Sequence, residues 1–324
     1  MMAKARGGMT GRRSILVTRR LPDDVEAWLA AHFDVTICAA DAGATRDELA
    51  AAMRDCDALC PTITDRLDAA LLAADSRVRI IASFGAGTEH IDLAAARRAG
   101  IVVTNTPDAL TDTTADLAIM LMLMAARRAG EGERELRAGR WTGWRPTHLL
   151  GTSLTGKTLG LVGIGKIARA TATRARGFGM EVVYHSRRPA DVPFRRVESL
   201  ADLGAEADIV SLHVPGGPET RHMIDAAFLG HAKPGCIIVN TARGSVIDEA
   251  ALADALRDGR VAAAGLDVFE HEPAVHPDLL ACENAVLLPH LGSATVETRT
   301  AMGMQMARNL EAFFAGLEPP NRVA

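Results

Sequence analysis

Three short stretches place reactive side chains directly after apolar runs. In Val239-Asn240-Thr241-Ala242-Arg243-Gly244-Ser245 an arginine follows what reads as a buried strand. Arginine is the fork-shaped donor that pairs a planar carboxylate through two parallel hydrogen bonds. A structural salt bridge is the competing account, and for this stretch alone it is the stronger one. In Leu266-Asp267-Val268-Phe269-Glu270-His271-Glu272-Pro273 carboxylates follow a second run, and in Leu288-Pro289-His290-Leu291-Gly292-Ser293 a histidine follows a third. A lone histidine after a strand is more often a satisfied structural residue than a catalyst. A histidine, a carboxylate and an arginine at three strand ends are harder to assign to structure alone.

A fourth stretch supplies a partner for them. Thr158 to Ala170 reads T-L-G-L-V-G-I-G-K-I-A-R-A, an apolar strand running into a glycine turn and then a helix. Gly163 allows the tight turn, Gly165 lets backbone N–H groups approach a pyrophosphate, and Ala168 gives room for helix and strand to pack. The helix, expected over 166–178, points its positive end at the phosphates. NAD binding calls for an acidic residue about 20 positions later, at the end of the second strand. That strand ends Tyr184-His185-Ser186-Arg187-Arg188 instead. Ser186 can hydrogen-bond a 2′-phosphate and the two arginines can neutralise it, so the pattern favours NADP(H), with NAD(H) still possible. Two solvated arginines in a surface loop are the alternative.

The elements that must position these groups alternate between short apolar strands and helices. The first series has strands over 15–18, 35–38, 58–60, 78–83 and 101–104, with helices near 22–33, after Thr45, around 67–74 and around 93–99. Thr45 and Glu48 stand at capping-box spacing. The alternation predicts an open, mostly parallel α/β sheet. Its fourth strand ends in Phe84-Gly85-Ala86-Gly87-Thr88, a turn suited to a small anion through its amides. A long helix over 111–128, with Thr113 and Asp116 spaced as a capping box, is apolar enough to require burial between layers or subunits. The loop Gly139 to Pro146 carries Trp141 and Trp144 and is either a surface loop pinned by aromatics or a contact with substrate or subunit. Six further strands follow: 159–162, 181–185, 209–213, 236–239, 261–266 and 286–288. The final helix, 296–315, is expected to return to the first series, giving domains at 1–108, 109–292 and 293–324 with a hinged cleft.

Composition narrows the class. A chain of 324 residues accommodates two domains, and a net charge of -4 with a pI near 6.2 makes no electrostatic case for nucleic acid or an anionic membrane. The five cysteines, Cys38, Cys56, Cys60, Cys236 and Cys282, lack metal-ligand spacing, so a reducing cytoplasm is expected and no metal site. Cys56 and Cys60 could share a helix face, but packing as small hydrophobes is the favoured role. The apolar run 117–126 is about half a membrane span, and the run after the basic start (Lys4, Arg6, Arg12, Arg13) is too short for a signal peptide. A frayed terminus is expected there.

Taken together, Gly163-Ile164-Gly165 with Ala168, Asn240-Thr241-Ala242-Arg243-Gly244, Asp267-Val268-Phe269 with Glu272-Pro273, and Pro289-His290 resemble the D-isomer-specific 2-hydroxyacid dehydrogenase family over nearly the whole chain. Within it, Gly85-Ala86-Gly87-Thr88, the 111–116 segment, the tryptophan loop and Ser186-Arg187-Arg188 are most similar to glyoxylate/hydroxypyruvate reductases. Ser186 departs from the NAD-type acid. The resemblance implies an α/β fold of two Rossmann-like open parallel-sheet domains separated by a cleft, a flavodoxin-like substrate domain and an NAD(P)-binding domain. It implies that Arg243 holds a substrate carboxylate, His290 is the acid/base and Glu272 its partner, an ionised neighbour that would favour imidazolium. Gly85, Ala86 and Gly87 would add substrate contacts with Arg243 and His290. Cofactor contacts fall to Gly163, Ile164, Gly165, Lys166, Ile167, Ser186, Arg187, Arg188, Val214, Pro215, Thr220, Thr241, Ala242, Arg243, Asp267, His290 and Gly292, with the Asp267 carboxylate near the nicotinamide carboxamide. A small 2-keto or 2-hydroxy acid substrate and a homodimer are expected. A D-lactate-type or phosphoglycerate dehydrogenase, an oxidase of formate or phosphite, and a dinucleotide-sensing co-repressor are the alternatives.

Overall fold

The computed structural model describes residues 11–38, 43–73 and 76–324. Lys4 and Arg6 of the basic start, and Ala74 at the end of one expected helix, lie outside them. The chain divides into a unit that runs through Leu110 and resumes at Thr295–Ala324, and a second unit, Thr111–Ala294.

The first unit alternates strictly: β1 (Ser14–Val17), α1 (Asp23–His32), β2 (Asp34–Ile37), α2 (Arg46–Asp55), β3 (Ala58–Cys60), α3 (Ala69–Leu72), β4 (Ile80–Ala82), α4 (Leu93–Arg98) and β5 (Val102–Thr104). All its strand pairs are parallel, in the order β2-β1-β3-β4-β5, the flavodoxin-like arrangement. Thr45 caps α2 with the full capping box, its hydroxyl accepting from the Glu48 amide while the Glu48 carboxylate accepts from Thr45. Cys56 closes α2 and Cys60 ends β3, so no helix face joins them; Cys60 packs in the core.

The second unit opens with α5 (Thr111–Ala126) and α6 (Ala129–Arg137). It continues as β6 (Thr158–Val162), α7 (Lys166–Gly177), β7 (Glu181–His185), β8 (Arg195–Arg196), α8 (Leu200–Glu206), β9 (Ile209–Leu212), α9 (Ala226–His231), β10 (Cys236–Asn240), α10 (Glu249–Arg257), β11 (Val261–Leu266), α11 (Pro277–Leu280) and β12 (Ala285–Leu287). The last helix, α12 (Val296–Phe314), belongs to the first unit, where Met306, Ala307 and Leu310 join Val25 and Leu29 of α1 in one core. The seven-stranded sheet runs β12-β11-β10-β9-β6-β7-β8, the Rossmann order with one strand added beyond the sixth. Alternation along the strands builds a core on each face. On β10, Ile237 and Val239 face α5 and α7, while Cys236 and Ile238 face α8, α9 and α10.

Four expectations are corrected. The long helix stops at Ala126, because Arg128 takes φ 53° and starts α6 from a left-handed turn. Thr113 lies inside α5, so Thr113 and Asp116 form no capping box; Asp116 instead pairs with Arg174 of α7 at 2.5 Å. Strands number seven in the second sheet, because the two-residue β8 pairs with β7. The helix around 67–74 shrinks to α3: Asp68 is its N-cap, accepting from the Leu71 amide, and Ala73 is its C-cap. The α5 helix is buried against β10, β11 and α7 of its own unit, with Met120 and Asp116 left exposed. The tryptophans are not pinned by aromatics among the described residues: Trp141 is 53% and Trp144 82% exposed.

Candidate active site

Because every strand pair in the second sheet is parallel, all the strand ends quoted above emerge on one edge. Gly163 follows β6 with φ 92°, and a Cβ there would stand 2.5 Å from the His213 carbonyl oxygen and 3.0 Å from Val214 Cγ1. Only glycine fits, which fixes the turn tightly at the point where strand order reverses between β6 and β9. Gly165 caps α7 without any side-chain hydrogen bond, and nothing lies within 4 Å of the place a Cβ would occupy. A bare backbone with open space beside it thus opens α7, next to Ile164, Lys166 and Ile167. Ala168 is fully buried against the sheet.

The loop after β9 carries Val214, Pro215 and Thr220, whose hydroxyl donates to the Pro215 carbonyl at 2.7 Å. Burial pushes the His213 pKa down to about 4, so this ring is neutral near neutral pH, with Nε2 2.9 Å from the Ser211 hydroxyl. At the end of β7, Ser186 donates to the Arg188 carbonyl at 2.6 Å, and Arg187 pairs with Glu219 at 2.5 Å.

Across the sheet, β10 delivers Thr241, Ala242 and Arg243. Fully buried Asn240 shapes this turn, accepting from the Ala242 amide and donating to the Arg243 carbonyl, both at 2.9 Å. The Arg243 guanidinium bonds the Ala242 carbonyl at 2.6 Å. Gly244 meets the turn after β11 so closely that a Cβ would lie 1.8 Å from the Phe269 carbonyl carbon.

Asp267, 1% exposed, accepts from the Leu291 amide at 2.6 Å and the Gly292 amide at 2.8 Å. Burial lifts its carboxyl above the ordinary value, against the pull of those amides. The carboxylate is thus engaged with the turn that carries His290 rather than presented outward. That turn is further held by the His290 amide, which donates to the Asp267 carbonyl at 2.8 Å, and by the Thr114 hydroxyl on the Gly292 carbonyl at 3.0 Å. His290 sits at φ 53°, a left-handed conformation uncommon outside glycine that histidine, like asparagine and aspartate, adopts more readily than most. Its Nδ1 lies 2.8 Å from Glu272 Oε2, while Glu272 Oε1 accepts from the Phe269 amide at 3.0 Å. Burial works to raise the Glu272 pKa. The hydrogen bond and charge of His290, the Phe269 amide and the Arg243 guanidinium outweigh it, and the carboxyl titrates below its ordinary value. An ionised Glu272 accepts the Nδ1 proton and leaves Nε2 to act on a third group.

The family model of the D-isomer specific 2-hydroxyacid dehydrogenase NAD binding domain matches residues 119–292. The chain belongs to the D-isomer specific 2-hydroxyacid dehydrogenase family. It is 42% identical over 323 residues to a glyoxylate reductase of Thermococcus litoralis, covering 95% of this chain and 96% of that one, and 43% identical to a glyoxylate reductase of Korarchaeum cryptofilum, with 95% of each covered. Among solved structures it is similar to an NADPH-dependent glyoxylate/hydroxypyruvate reductase of Sinorhizobium meliloti in complex with NADP and malonate, with 38% identity, 97% of each chain covered and a TM-score of 0.86. As a member of this family the protein is an NAD(P)-dependent oxidoreductase, and the residues present suit a nicotinamide dinucleotide. The Gly163 turn, the uncapped start of α7 and the open face of Gly165 would fit a diphosphate. The Thr241 hydroxyl, in a residue 9% exposed at the strand edge, has no hydrogen-bond partner among the described residues and could pair with a bound ligand.

In the first unit of this dehydrogenase, Gly85 and Ala86 have their carbonyls occupied by the Thr106 amide at 2.9 Å and Asn105 Nδ2 at 2.7 Å. The amides of Gly85, Ala86 and Gly87 donate to no group among the described residues. Sequence reasoning missed Asn240, Phe269 and Glu270. Glu270 accepts from Arg221 at 2.6 Å and His222 at 3.0 Å and anchors the strap that carries Glu272. The one available signal was the Asn240 position at the strand end, two residues before the amide it holds. Among the described residues no helix is long and apolar enough to cross a membrane.

Proposed function

We propose that this protein reduces small 2-keto acids, glyoxylate or hydroxypyruvate, to 2-hydroxy acids with NADPH as the preferred hydride donor. The observation that carries the reading is the His290–Glu272 pair, 2.8 Å apart on the strand edge that also bears the glycine turn. The names of the similar reductases point to the same substrates. A bound reduced dinucleotide supplies the hydride. Reduction of the carbonyl leaves an alkoxide, and His290 as imidazolium delivers a proton from Nε2 to that oxygen, while Glu272 holds Nδ1 and stabilises the charged ring. Arg243 pairs the substrate carboxylate through its fork. The cofactor contacts are the 163–167 turn, Ser186, Arg187 and Arg188 at the 2′-phosphate, Val214, Pro215 and Thr220, and Thr241, Ala242, Asp267 and Gly292, with Asp267 acting chiefly through the His290 turn. In this reading the unit Thr111–Ala294 binds the dinucleotide and the other binds the substrate.

A homodimer in the cytoplasm completes the proposal. Met120, Leu136, Trp141, Trp144 and Leu150 form an exposed apolar series within one stretch of chain, and the cysteines are free thiols.

Initial rates of NADPH and NADH oxidation against glyoxylate, hydroxypyruvate, pyruvate and phenylpyruvate test the reading. Fast NADPH-dependent turnover of the first two is expected; binding of NADPH without turnover of any would move the assignment to a sensor. His290→Ala should abolish turnover and spare NADPH binding, and loss of both would make His290 structural.

A further inference from the structure

The turn after β7 is organised by a residue outside it. Arg196 stands opposite Tyr184 in the β7–β8 register, so its side chain runs along β7 toward the turn. There Nε and Nη2 both donate to the Ser186 carbonyl, at 3.3 and 3.2 Å, while Nη1 donates to Glu198 at 2.8 Å. The side chain is only 24% exposed, unlike that of Arg187 at 84%. A second carbonyl of the turn, that of Arg188, is taken by the Ser186 hydroxyl. Among the described residues, the Arg187 and Arg188 amides donate to nothing. Two carbonyls of this turn are thus tied back and two of its amides left open, beside three guanidinium groups. Such a concavity of amides accepts an anion.

We propose that Arg196 is a positioning residue for coenzyme selection: by holding the Ser186 carbonyl, it keeps that oxygen away from a 2′-phosphate and turns the Arg187 amide, which shares the same peptide plane, toward it. The proposal rests on the NADPH-preferring reading above. It differs from a general structural role because the effect falls on one phosphate. Without Arg196 the carbonyl rotates freely, and an oxygen dipole facing a dianion repels it, whereas a ribose hydroxyl can donate to the same oxygen.

The test is calorimetric binding of adenosine 2′,5′-bisphosphate and of AMP to the full chain, wild type, Arg196→Gln and Arg196→Lys, together with KM for NADPH and NADH. Arg196→Gln should weaken the bisphosphate about ten-fold, the effect of losing one charge-assisted contact, and leave AMP within about two-fold. Arg196→Lys, which keeps the charge without the fork, should fall between. KM for NADPH should rise with the bisphosphate constant while KM for NADH stays. If wild type binds both nucleotides equally, the NADPH reading itself fails. If wild type discriminates and Arg196→Gln discriminates as well, only the role of Arg196 is overturned. Equal weakening of both nucleotides would make Arg196 a plain structural support and overturn it too.

Discussion

Glu272 divides its carboxylate between the His290 ring and the Phe269 amide, so one residue orients the histidine and fixes the strap it stands on. Its pKa is lower folded than unfolded, held down by His290, Phe269 and Arg243 against burial. The stabilisation is therefore fully present above the ordinary carboxylate range and is lost as pH falls through the folded value. Urea unfolding should show Glu272→Gln less stable than wild type at neutral pH and the two converging on acidification; a gap constant into acid would mean that another group holds His290. Asp267 works in the opposite sense, because its raised pKa makes ionisation cost stability as pH rises. Arg243 and His290 stood out in the sequence as candidates because each follows an apolar run closely, whereas Glu272, beyond the end of β11, entered through the family resemblance. Asn240 had only its strand-end position as a signal and Arg196 none, since each acts on backbone groups that only the folded turns bring within reach. Arg196 in particular lies in an Arg-Arg pair that reads as a solvated surface.

At the scale of elements, the turns matter more than the strands that lead into them. Gly244 opens a short 3-10 turn and packs on the Phe269–Glu270 peptide, where a Cβ would meet backbone at 1.8 and 2.2 Å. Gly244→Ala should cost about 3 kcal/mol or more by forcing the two turns apart. It should also lower kcat, because the displaced segment carries Glu272; thermal unfolding beside steady-state kinetics checks both, and an unchanged Tm would refute the close packing. The strands of both sheets were legible to within a residue or two because buried parallel strands are short apolar runs between turn residues. β8 was not, since two arginines carry no strand signal and its pairing is set by β7. The end of α5 was missed for a related reason: nothing in Arg127-Arg128-Ala129 marks the left-handed residue that separates it from α6. The Thr113–Asp116 spacing misled because Asp116 answers to Arg174 on a different helix.

The molecule as a whole is two units whose chains are interleaved rather than sequential. α12 closes the first unit, with Met306, Ala307 and Leu310 fully buried beside Val25 and Leu29. Gly303 is the point of nearest approach, since a Cβ there would stand 2.6 Å from Val25 Cγ2. Gly303→Val should destabilise the first unit by about 1–3 kcal/mol through overpacking. Hydrogen exchange should quicken in α1 and α12 while amides of the second sheet keep their protection; uniform quickening would show that the two units unfold together. The same interleaving bears on how the protein comes off the ribosome. At about 5–20 residues per second, the 184 residues of Thr111–Ala294 take on the order of 10–40 seconds to emerge. Through that interval the nascent chain carries α1 with Val25 and Leu29 uncovered while a whole later domain is made and can fold. The first unit begun is the last completed, and its exposed helix face is the surface that a chaperone would have to guard.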